Sequence, residues 1–194
     1  MENLITKPTE LSLHILRAYV SEGDVVIDAT SGNGHDTLAL ARLVGSAGKV
    51  YSFDIQQAAI ENTKLLLEKE GFFDNYELIL GSHHLMNELI PESHHGNISA
   101  VVFNLGYLPG GGKDRTTLPA TTLEAVKQSL AMIRPGGIVA AIIYSGHPQG
   151  AEEKEALLRF SKALPHKEYH AACLSLINQQ ENPPELLLIT KKSI

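Results

Sequence analysis

Cysteine is almost absent from this sequence. Cys173 is the only one among 194 residues, so the chain can build neither an internal disulfide nor a cage of thiolate ligands around a metal. A chain with so little cysteine suits a reducing compartment, and we expect a cytoplasmic protein.

Long apolar runs are missing as well. No segment approaches the ~20 apolar residues that a membrane-spanning helix needs. The first residues, MENLITKPTELSLHILRAYV, are polar and mixed in charge, whereas a signal peptide has a basic region followed by an apolar one. We therefore expect neither a signal peptide nor a membrane partner.

An excess of basic residues is also lacking, because the net charge is −6 at pH 7. This balance argues against broad, non-specific binding of nucleic acid, and it leaves room for one local basic face. Hydrophobic residues make up 43% and charged residues 20% of the chain, which are ordinary values for a globular protein. The length and composition predict a single domain over residues 1–194.

The sequence does contain an alternation of short apolar runs and amphipathic stretches, which is typical of βα units and a parallel sheet. Strands are predicted at 24–30, 49–55, 76–81, 99–104 and 138–145, and helices at 34–45, 57–71, 121–137 and 151–164, with one more helix before the first strand. The last two apolar runs, 169–178 and 185–192, flank QQENPP and predict an antiparallel pair. The expected fold is therefore α/β and Rossmann-like, with a mostly parallel seven-stranded sheet and helices on both faces.

A glycine-containing loop follows the first predicted strand. The strand ends at Asp28 and continues as ATSGNGHDT, where Gly32 and Gly34 permit a tight turn as a helix begins. Asp54 ends the next strand, and an acidic residue there can accept hydrogen bonds from both ribose hydroxyls of an adenosine. The pattern predicts a nucleotide-type cofactor, and an ordinary βα turn with Asp54 as a helix cap is the alternative.

Two cofactors fit this loop. A dinucleotide site usually reads G-x-G-x-x-G, and its third glycine would fall at Thr37, which counts against NAD. S-adenosylmethionine sites resemble (D/E)-x-G-x-G-x-G, and here only Thr30 departs from that pattern. The carboxylate of Asp28 would favour the cofactor's ammonium group, and five strands with a terminal antiparallel pair resemble the sheet of class I methyltransferases. S-adenosylmethionine is the predicted cofactor.

The fourth predicted strand ends at Asn104, at the edge of the sheet where ligands bind. An asparagine carbonyl can accept the N–H bonds of an amine and aim its lone pair, so that positioning drives methyl transfer. Tyr107 follows in N-L-G-Y, similar to the (N/D)-P-P-Y loop of amino-methyltransferases without its two prolines, and its ring is expected to stack on a substrate base. Lys113 and Arg115 are predicted either to contact phosphate or to form a solvated charge cluster.

The fifth predicted strand brings Tyr144 and His147 to the substrate side. His147 could take a proton from an incoming ammonium group, or it could be a turn residue satisfied by the backbone. Methylation of a pyrimidine carbon commonly needs a cysteine nucleophile, and Cys173 is interpreted as a buried structural residue. The histidine pairs at 83–84 and 94–95 lack the spacing of a helical metal motif, and no metal is expected.

Several stretches together resemble one family. They are VIDATSGNGHDTLALA, YSFDIQ, GSHHL, FNLGYLPGG, Thr121–Thr122, YSGHPQG with a following Glu, and a late N…PP. The chain is similar over about residues 10–190 to a small bacterial group labelled rRNA methylases, with characterised members that are tRNA 5-aminomethyl-2-thiouridine methyltransferases (the MnmM, or YtqB-like, family). The resemblance implies methylation of the exocyclic amine of a wobble uridine in tRNA.

The motifs and the resemblance together imply the site residues. The expected cofactor site comprises Asp28, Thr30, Gly32, Asn33, Gly34, Asp36, Thr37, Asp54, Ile55, Gln56, Ser82, His83 and Asn104. Helix capping is the alternative role for Asp36 and Thr37. Asn104, Tyr107, Tyr144 and His147 are the expected catalytic residues, and the substrate would contact Tyr107, Lys113, Arg115, Tyr144 and His147.

The implied partner is the anticodon arm of tRNA, and the acidic net charge predicts a small footprint on it. Lys7, Arg17, Lys113 and Arg115 are candidates for that contact, and a homodimer is left open. Methylation of rRNA, methylation of a small-molecule amine or hydroxyl, and a non-catalytic cofactor-binding module are the alternative functions.

Overall fold

A seven-stranded sheet forms the centre of the molecule in the computed structural model, which describes residues 3–106, 117–180 and 182–193. The strands are β1 (Val25–Asp28), β2 (Lys49–Asp54), β3 (Tyr76–Leu80), β4 (Ile98–Leu105), β5 (Ile133–Ile143), β6 (Tyr169–Leu174) and β7 (Glu185–Lys191). Their order is β3-β2-β1-β4-β5-β7-β6. The first five strands are parallel, and β7 is antiparallel to both β5 and β6. The predicted fold class is confirmed.

Six α-helices surround the sheet in the described part of the chain. They are α1 (Pro8–Leu16), α2 (His35–Val44), α3 (Gln57–Lys69), α4 (Met86–Leu89), α5 (Pro119–Met132) and α6 (Pro148–Ala163). Short 3-10 turns occupy Leu4–Thr6, His83–Leu85 and Glu92–His94. None of the described helices combines the length and the apolar character needed to cross a membrane.

Two hydrophobic cores lie on opposite faces of the sheet, because successive strand residues point to opposite sides. Val26 belongs to the core that contains Leu16 of α1 and Leu67 of α3. Its neighbour Ile27 belongs to the other core, together with Leu157 of α6. Both residues are fully buried, so the sheet is covered on both faces, as a parallel sheet requires.

The boundary between α5 and β5 differs from the prediction. The sequence predicted a helix to residue 137, ended by a Pro-Gly-Gly turn, whereas α5 ends at Met132 and β5 already begins at Ile133. Ile98 pairs with Ile133 and Ala100 pairs with Ile138, so the Pro-Gly-Gly segment forms a bulge inside β5. Gly136 has a φ of +79°, a backbone conformation that favours glycine.

Cys173 also departs from its interpretation. The sequence predicts a buried structural residue, and that prediction is wrong, because the structure places Cys173 in β6 with an exposed side chain. β6 lies at the edge of the sheet, and residues 170–173 are all exposed. The apolar sequence of this strand therefore does not mean that its side chains are buried.

The sheet order reverses between β1 and β4. Strands β2 and β3 follow on one side of β1, and β5 follows on the far side of β4. Parallel strands that diverge in this way leave a crevice beyond their carboxyl ends, where ligands bind in open α/β sheets. The residues just after β1 and at the end of β4 therefore meet at one place.

Candidate active site

A cleft of about 760 Å³ opens at this switch point. Its walls come from the loops after β1, β2 and β3, from the ends of β4 and β5, from α1, and from the starts of α2 and α5. The described residues that line it are Thr9, Ala29, Thr30, Ser31, Gly32, Asn33, His35, Asp36, Phe53, Asp54, Ile55, Gln56, Gly81, Ser82, His83, Asn104, Leu105, Gly106, Thr117, Leu118, Thr121 and Tyr144. Most of the predicted site residues thus share one cleft.

The loop after β1 is held close to α3. Gly32 and Gly34 have φ values of +54° and +84°, which glycine adopts without strain. A Cβ on Gly34 would lie 2.8 Å from the Cα of Thr63, so a larger residue would push the loop away from the helix. The hydroxyls of Ser31 and Thr63 are hydrogen-bonded at 2.8 Å, which also fixes the loop to α3.

Asp28 lies behind this loop and does not line the cleft. Its carboxylate accepts hydrogen bonds from the backbone N–H of Thr30 (3.1 Å) and the hydroxyl of Thr37 (2.6 Å). Burial, with a further contribution from the charge of Asp36, raises the pKa of Asp28 to about 7. Asp28 and Thr37 therefore shape the loop from inside the protein, and the expected contact of Asp28 with the cofactor's ammonium group stays a prediction.

Asp54 links the loop after β1 to the end of β2. Its Oδ2 accepts the N–H of Gly32 and its Oδ1 accepts the N–H of Gln56, both at 2.9 Å. Burial raises the pKa of this carboxyl, and its backbone hydrogen bonds partly offset the rise. A carboxylate can accept about four hydrogen bonds, so each oxygen keeps capacity for a ligand hydroxyl in the cleft.

His83 lies at the far end of the cleft, in the turn after β3. Its Nδ1 lies 3.1 Å from the carbonyl oxygen of Ala29, and only a protonated nitrogen can donate there. Burial lowers the pKa of His83 to about 4, so the ring is neutral and Nε2 is an acceptor. That buried Nε2 has no hydrogen-bond partner among the described residues, which leaves an acceptor available at the wall of the cleft.

Asn104 lies near the end of β4, and two elements fix it. Its backbone N–H donates to the hydroxyl of Thr30 at 2.6 Å, and its side-chain Nδ2 donates to Oδ2 of Asp36 at 3.2 Å. Thr30, the position that departs from the glycine pattern, thus ties the loop after β1 to β4. Because a carboxylate only accepts, the Asn104 amide leaves its Oδ1 as an acceptor in the cleft.

Tyr144 lines the cleft directly after β5, near the side chain of Thr9, which also lines it. Burial raises the pKa of Tyr144, and the nearby charge of Asp36 adds to this rise. A Cβ on Gly106 would lie 3.6 Å from Cδ2 of Tyr144, so the ring packs on the backbone that follows Asn104. Thr9 is a cleft residue that the sequence did not reveal, because its neighbour Tyr144 is distant in the sequence.

His147 is not among the residues that line the cleft. It is the N-cap of α6, and its Nδ1 accepts the N–H of Gly150 at 3.1 Å. The backbone bond to Nδ1 agrees with the alternative that the sequence left open, a turn histidine, and the catalytic role of His147 stays a prediction. The placement gives no support to His147 as a proton acceptor for the substrate.

Glu153 is a second residue that the sequence did not single out. It is only 2% exposed, and its carboxylate accepts hydrogen bonds from the hydroxyls of Thr117 (3.0 Å) and Thr122 (2.5 Å). Burial raises its pKa, and the two hydroxyls oppose the rise. Since Thr117 lines the cleft, Glu153 fixes that part of the wall. The pair at Thr121–Thr122 in the sequence was the available signal.

Three predicted substrate residues, Tyr107, Lys113 and Arg115, lie outside the described residues. Within residues 3–106, 117–180 and 182–193, no group of three His, Cys, Asp or Glu side chains could hold a metal ion. The paired histidines have separate partners: His84 bonds Ser82, His94 bonds Tyr51, and His95 donates to the carbonyl of Ile90.

The sequence is similar to those of known proteins. The family described as "Putative rRNA methylase" matches residues 50–190. The chain is also 37% identical to the tRNA (mnm(5)s(2)U34)-methyltransferase, chloroplastic, of Arabidopsis thaliana, across 96% of this chain and 70% of that protein.

Solved structures give the same relationship. A Clostridium thermocellum protein with the same rRNA-methylase description has a TM-score of 0.91 and 40% identity, covering 95% of this chain and 97% of that one. A Streptococcus mutans protein, solved in complex with SAH, has a TM-score of 0.85 and 37% identity, covering 95% of this chain and 98% of that one. By its sequence match over most of the chain and its fold, this protein belongs to the rRNA methylase family that its motifs resemble.

Proposed function

We propose that this protein is an N-methyltransferase that uses S-adenosylmethionine to convert 5-aminomethyl-2-thiouridine to 5-methylaminomethyl-2-thiouridine at the wobble position of tRNA. The Arabidopsis relative bears the name of that activity and matches nearly the whole chain. The observation that carries the proposal is the amide of Asn104, which Asp36 holds so that its Oδ1 remains an acceptor in the cleft.

The cleft fits S-adenosylmethionine by the chemistry of its side chains. Asp54 keeps acceptor capacity for the two ribose hydroxyls while its carboxylate holds Gly32 and Gln56. The unpartnered Nε2 of His83 can accept a hydrogen bond from an exocyclic amine such as that of adenine. Ile55 is 57% exposed at the wall of the cleft, which offers an apolar surface for a base. The cofactor supplies an electrophilic methyl group on a cationic sulfur.

The other end of the cleft suits an amine acceptor. The Oδ1 of Asn104 can accept an amine N–H and so direct the nitrogen lone pair, which makes positioning the main contribution of the protein. Tyr144 lies on the backbone that follows Asn104, and the side chain of Thr9 lies near it in the cleft. Methyl transfer to an amine requires no covalent nucleophile. This agrees with the position of Cys173 on β6, the edge strand beyond β5 and β7.

The proposed macromolecular partner is the anticodon arm of tRNA. Helix α1 brings Thr9 into the cleft and carries basic side chains at both of its ends. Lys7 at the start pairs with Glu10 at 2.9 Å, and Arg17 at the other end is exposed. These two residues, with Lys113 and Arg115, are proposed to contact phosphates near the wobble nucleotide. We further propose a cytoplasmic location and leave a homodimer as an open expectation.

Nucleoside analysis tests the proposed substrate. In a strain that lacks this gene, tRNA digested to nucleosides should lose 5-methylaminomethyl-2-thiouridine and accumulate the 5-aminomethyl form. The gene for the unmutated protein should restore the methylated form, and a gene encoding Asn104→Ala should not. An unchanged tRNA profile together with a methyl group missing from rRNA would favour the rRNA alternative and reject the proposal.

A further inference from the structure

Methylation of an amine poses a problem of protonation. An alkylammonium group such as that of lysine has an unperturbed pKa of about 10.4, so an aminomethyl substituent is mostly cationic near neutral pH. The cation has no lone pair and cannot attack a methyl carbon. If the proposed function holds, on which this inference rests, either a rare neutral amine binds or the protein takes the proton.

Asp36 is the cleft-lining carboxylate that contacts the residue proposed to aim the amine. It lies in the first turn of α2, is 7% exposed, and lines the cleft. Its Oδ2 accepts the Nδ2–H of Asn104 at 3.2 Å. Because this bond uses Oδ2 of Asp36 and Nδ2 of Asn104, each side chain keeps its Oδ1 as an acceptor. Two acceptors at adjoining side chains are the arrangement that an ammonium group needs.

The other titratable side chains of the cleft are less suited to this role. The carboxylate of Asp54 holds the backbone N–H groups of two loops at the end of β2. Asp28 and His147 do not line the cleft. His83 lies in the turn after β3 with its ring bonded to Ala29, and His35 is exposed at the rim. None of these side chains is hydrogen-bonded to Asn104.

The surroundings of Asp36 make it a stronger base than an exposed carboxylate. Burial raises the pKa of Asp36, whereas the Asn104 hydrogen bond and the charge of His35 oppose the rise. The groups that interact with it electrostatically are Asp28 behind the loop, His35 on the same helix and Tyr144 after β5. Thr9 of α1, which lies near Tyr144 in the cleft, is uncharged.

We infer that Asp36 and Asn104 together bind the ammonium form of the acceptor's aminomethyl group, and that Asp36 takes one proton from its nitrogen before methyl transfer. The N–H bond breaks and an O–H bond forms on Asp36. The freed lone pair then bonds to the methyl carbon, while the carbon–sulfur bond breaks and its electron pair stays on sulfur. The product nitrogen keeps two protons and the positive charge, and Asp36 later releases its proton to water.

Single-turnover methylation rates at about pH 7 and about pH 8 test this role, with saturating S-adenosylmethionine and tRNA that carries 5-aminomethyl-2-thiouridine. The unmutated protein should change its rate by less than about threefold, because the internal proton transfer replaces dependence on the free amine. Asp36→Asn keeps the acceptor for Asn104 and removes the base. At about pH 7 this variant should be at least ~100-fold slower than the unmutated protein, and its rate should rise about tenfold for each pH unit. Calorimetric affinity for S-adenosylmethionine should stay within about threefold.

Asp74→Asn is the matched control, since it makes the same substitution at an exposed aspartate outside the cleft, and its rate and pH profile should equal those of the unmutated protein. An Asp36→Asn rate with the unmutated pH profile would overturn the inference. The inference would also be overturned if Asp36→Asn bound S-adenosylmethionine more than about tenfold more weakly but kept the unmutated rate at saturation. That result would make Asp36 a cofactor ligand.

The unmutated protein alone can also refute the inference, whether or not a variant folds. A rate that rises about tenfold from about pH 7 to about pH 8 would show that only the free amine reacts. Failure of the unmutated protein to methylate this tRNA at any pH would instead reject the proposed function. The two failures are therefore distinguishable.

Discussion

Asp54→Ala is expected to weaken the binding of S-adenosylmethionine strongly. The carboxylate joins the glycine loop to the end of β2 through Gly32 and Gln56, and its remaining acceptor capacity faces the cleft. Hydrogen bonds to a charged group contribute about 1.5–3 kcal/mol each. Two ribose hydroxyls therefore contribute at least about 3 kcal/mol, which is a factor of about 100 in the dissociation constant.

Isothermal titration calorimetry of both proteins with S-adenosylmethionine measures this effect. Asp74→Ala is the matched control, because Asp74 is an exposed aspartate in the turn before β3, and it should leave the affinity unchanged. Circular dichroism confirms that Asp54→Ala is folded, since the loss of an acceptor for two loop N–H groups costs about 1–3 kcal/mol of stability. A dissociation constant within about threefold of the unmutated value would refute the assignment of Asp54 to the cofactor.

Three further predictions concern other parts of the cleft. Asn104→Ala should lower the rate of methylation at least ~100-fold while the affinity for S-adenosylmethionine changes less than about threefold; an equal loss of both would mark Asn104 as a cofactor or structural residue. Because the pKa of Asp28 is raised to about 7, the folded state holds a proton that the unfolded state has lost between about pH 4 and pH 7, so the free energy of unfolding falls as pH rises through that range. Urea denaturation should show a smaller fall in the free energy of unfolding for Asp28→Asn than for the unmutated protein. Identical falls would contradict the raised pKa of Asp28. Thr9→Val should raise KM for tRNA about threefold to tenfold by removing a hydroxyl beside Tyr144 in the cleft, and an extra loss in the double variant with Tyr144→Phe would show that the two residues act separately.

The architecture could be predicted from the sequence because it depends on local patterns. Alternating apolar residues such as Val26 and Ile27 fill the two cores. Gly32 and Gly34 have φ values above zero, and glycines at such positions allowed the loop after β1 to be predicted. The Pro-Gly-Gly segment misled the prediction, since these residues suit a turn and a strand bulge equally. The exposure of the Cys173 side chain could not be predicted from the sequence, because the burial of an edge strand depends on which elements pack against it.

The candidate site was predicted in part, and what was missed are contacts between distant segments. The positions of Asp54, His83 and Asn104 follow from their places at strand ends. The hydrogen bond between Asp36 and Asn104 joins two residues 68 positions apart, and no local sequence pattern predicts it. Thr9 likewise enters the cleft only because α1 packs beside β5. The role of His147 could not be decided from the sequence, because a histidine before Pro148 suits a helix N-cap as well as a proton acceptor.

The most direct test of the proposed function is methylation with purified components. The protein would be incubated with S-adenosylmethionine bearing an isotopically labelled methyl group and with tRNA that carries 5-aminomethyl-2-thiouridine, and the digested nucleosides would be analysed by mass spectrometry. We predict the label in 5-methylaminomethyl-2-thiouridine at the wobble position, and its absence when the tRNA lacks the aminomethyl group. Label in any other nucleoside, or label that does not depend on the aminomethyl group, would contradict the proposed function.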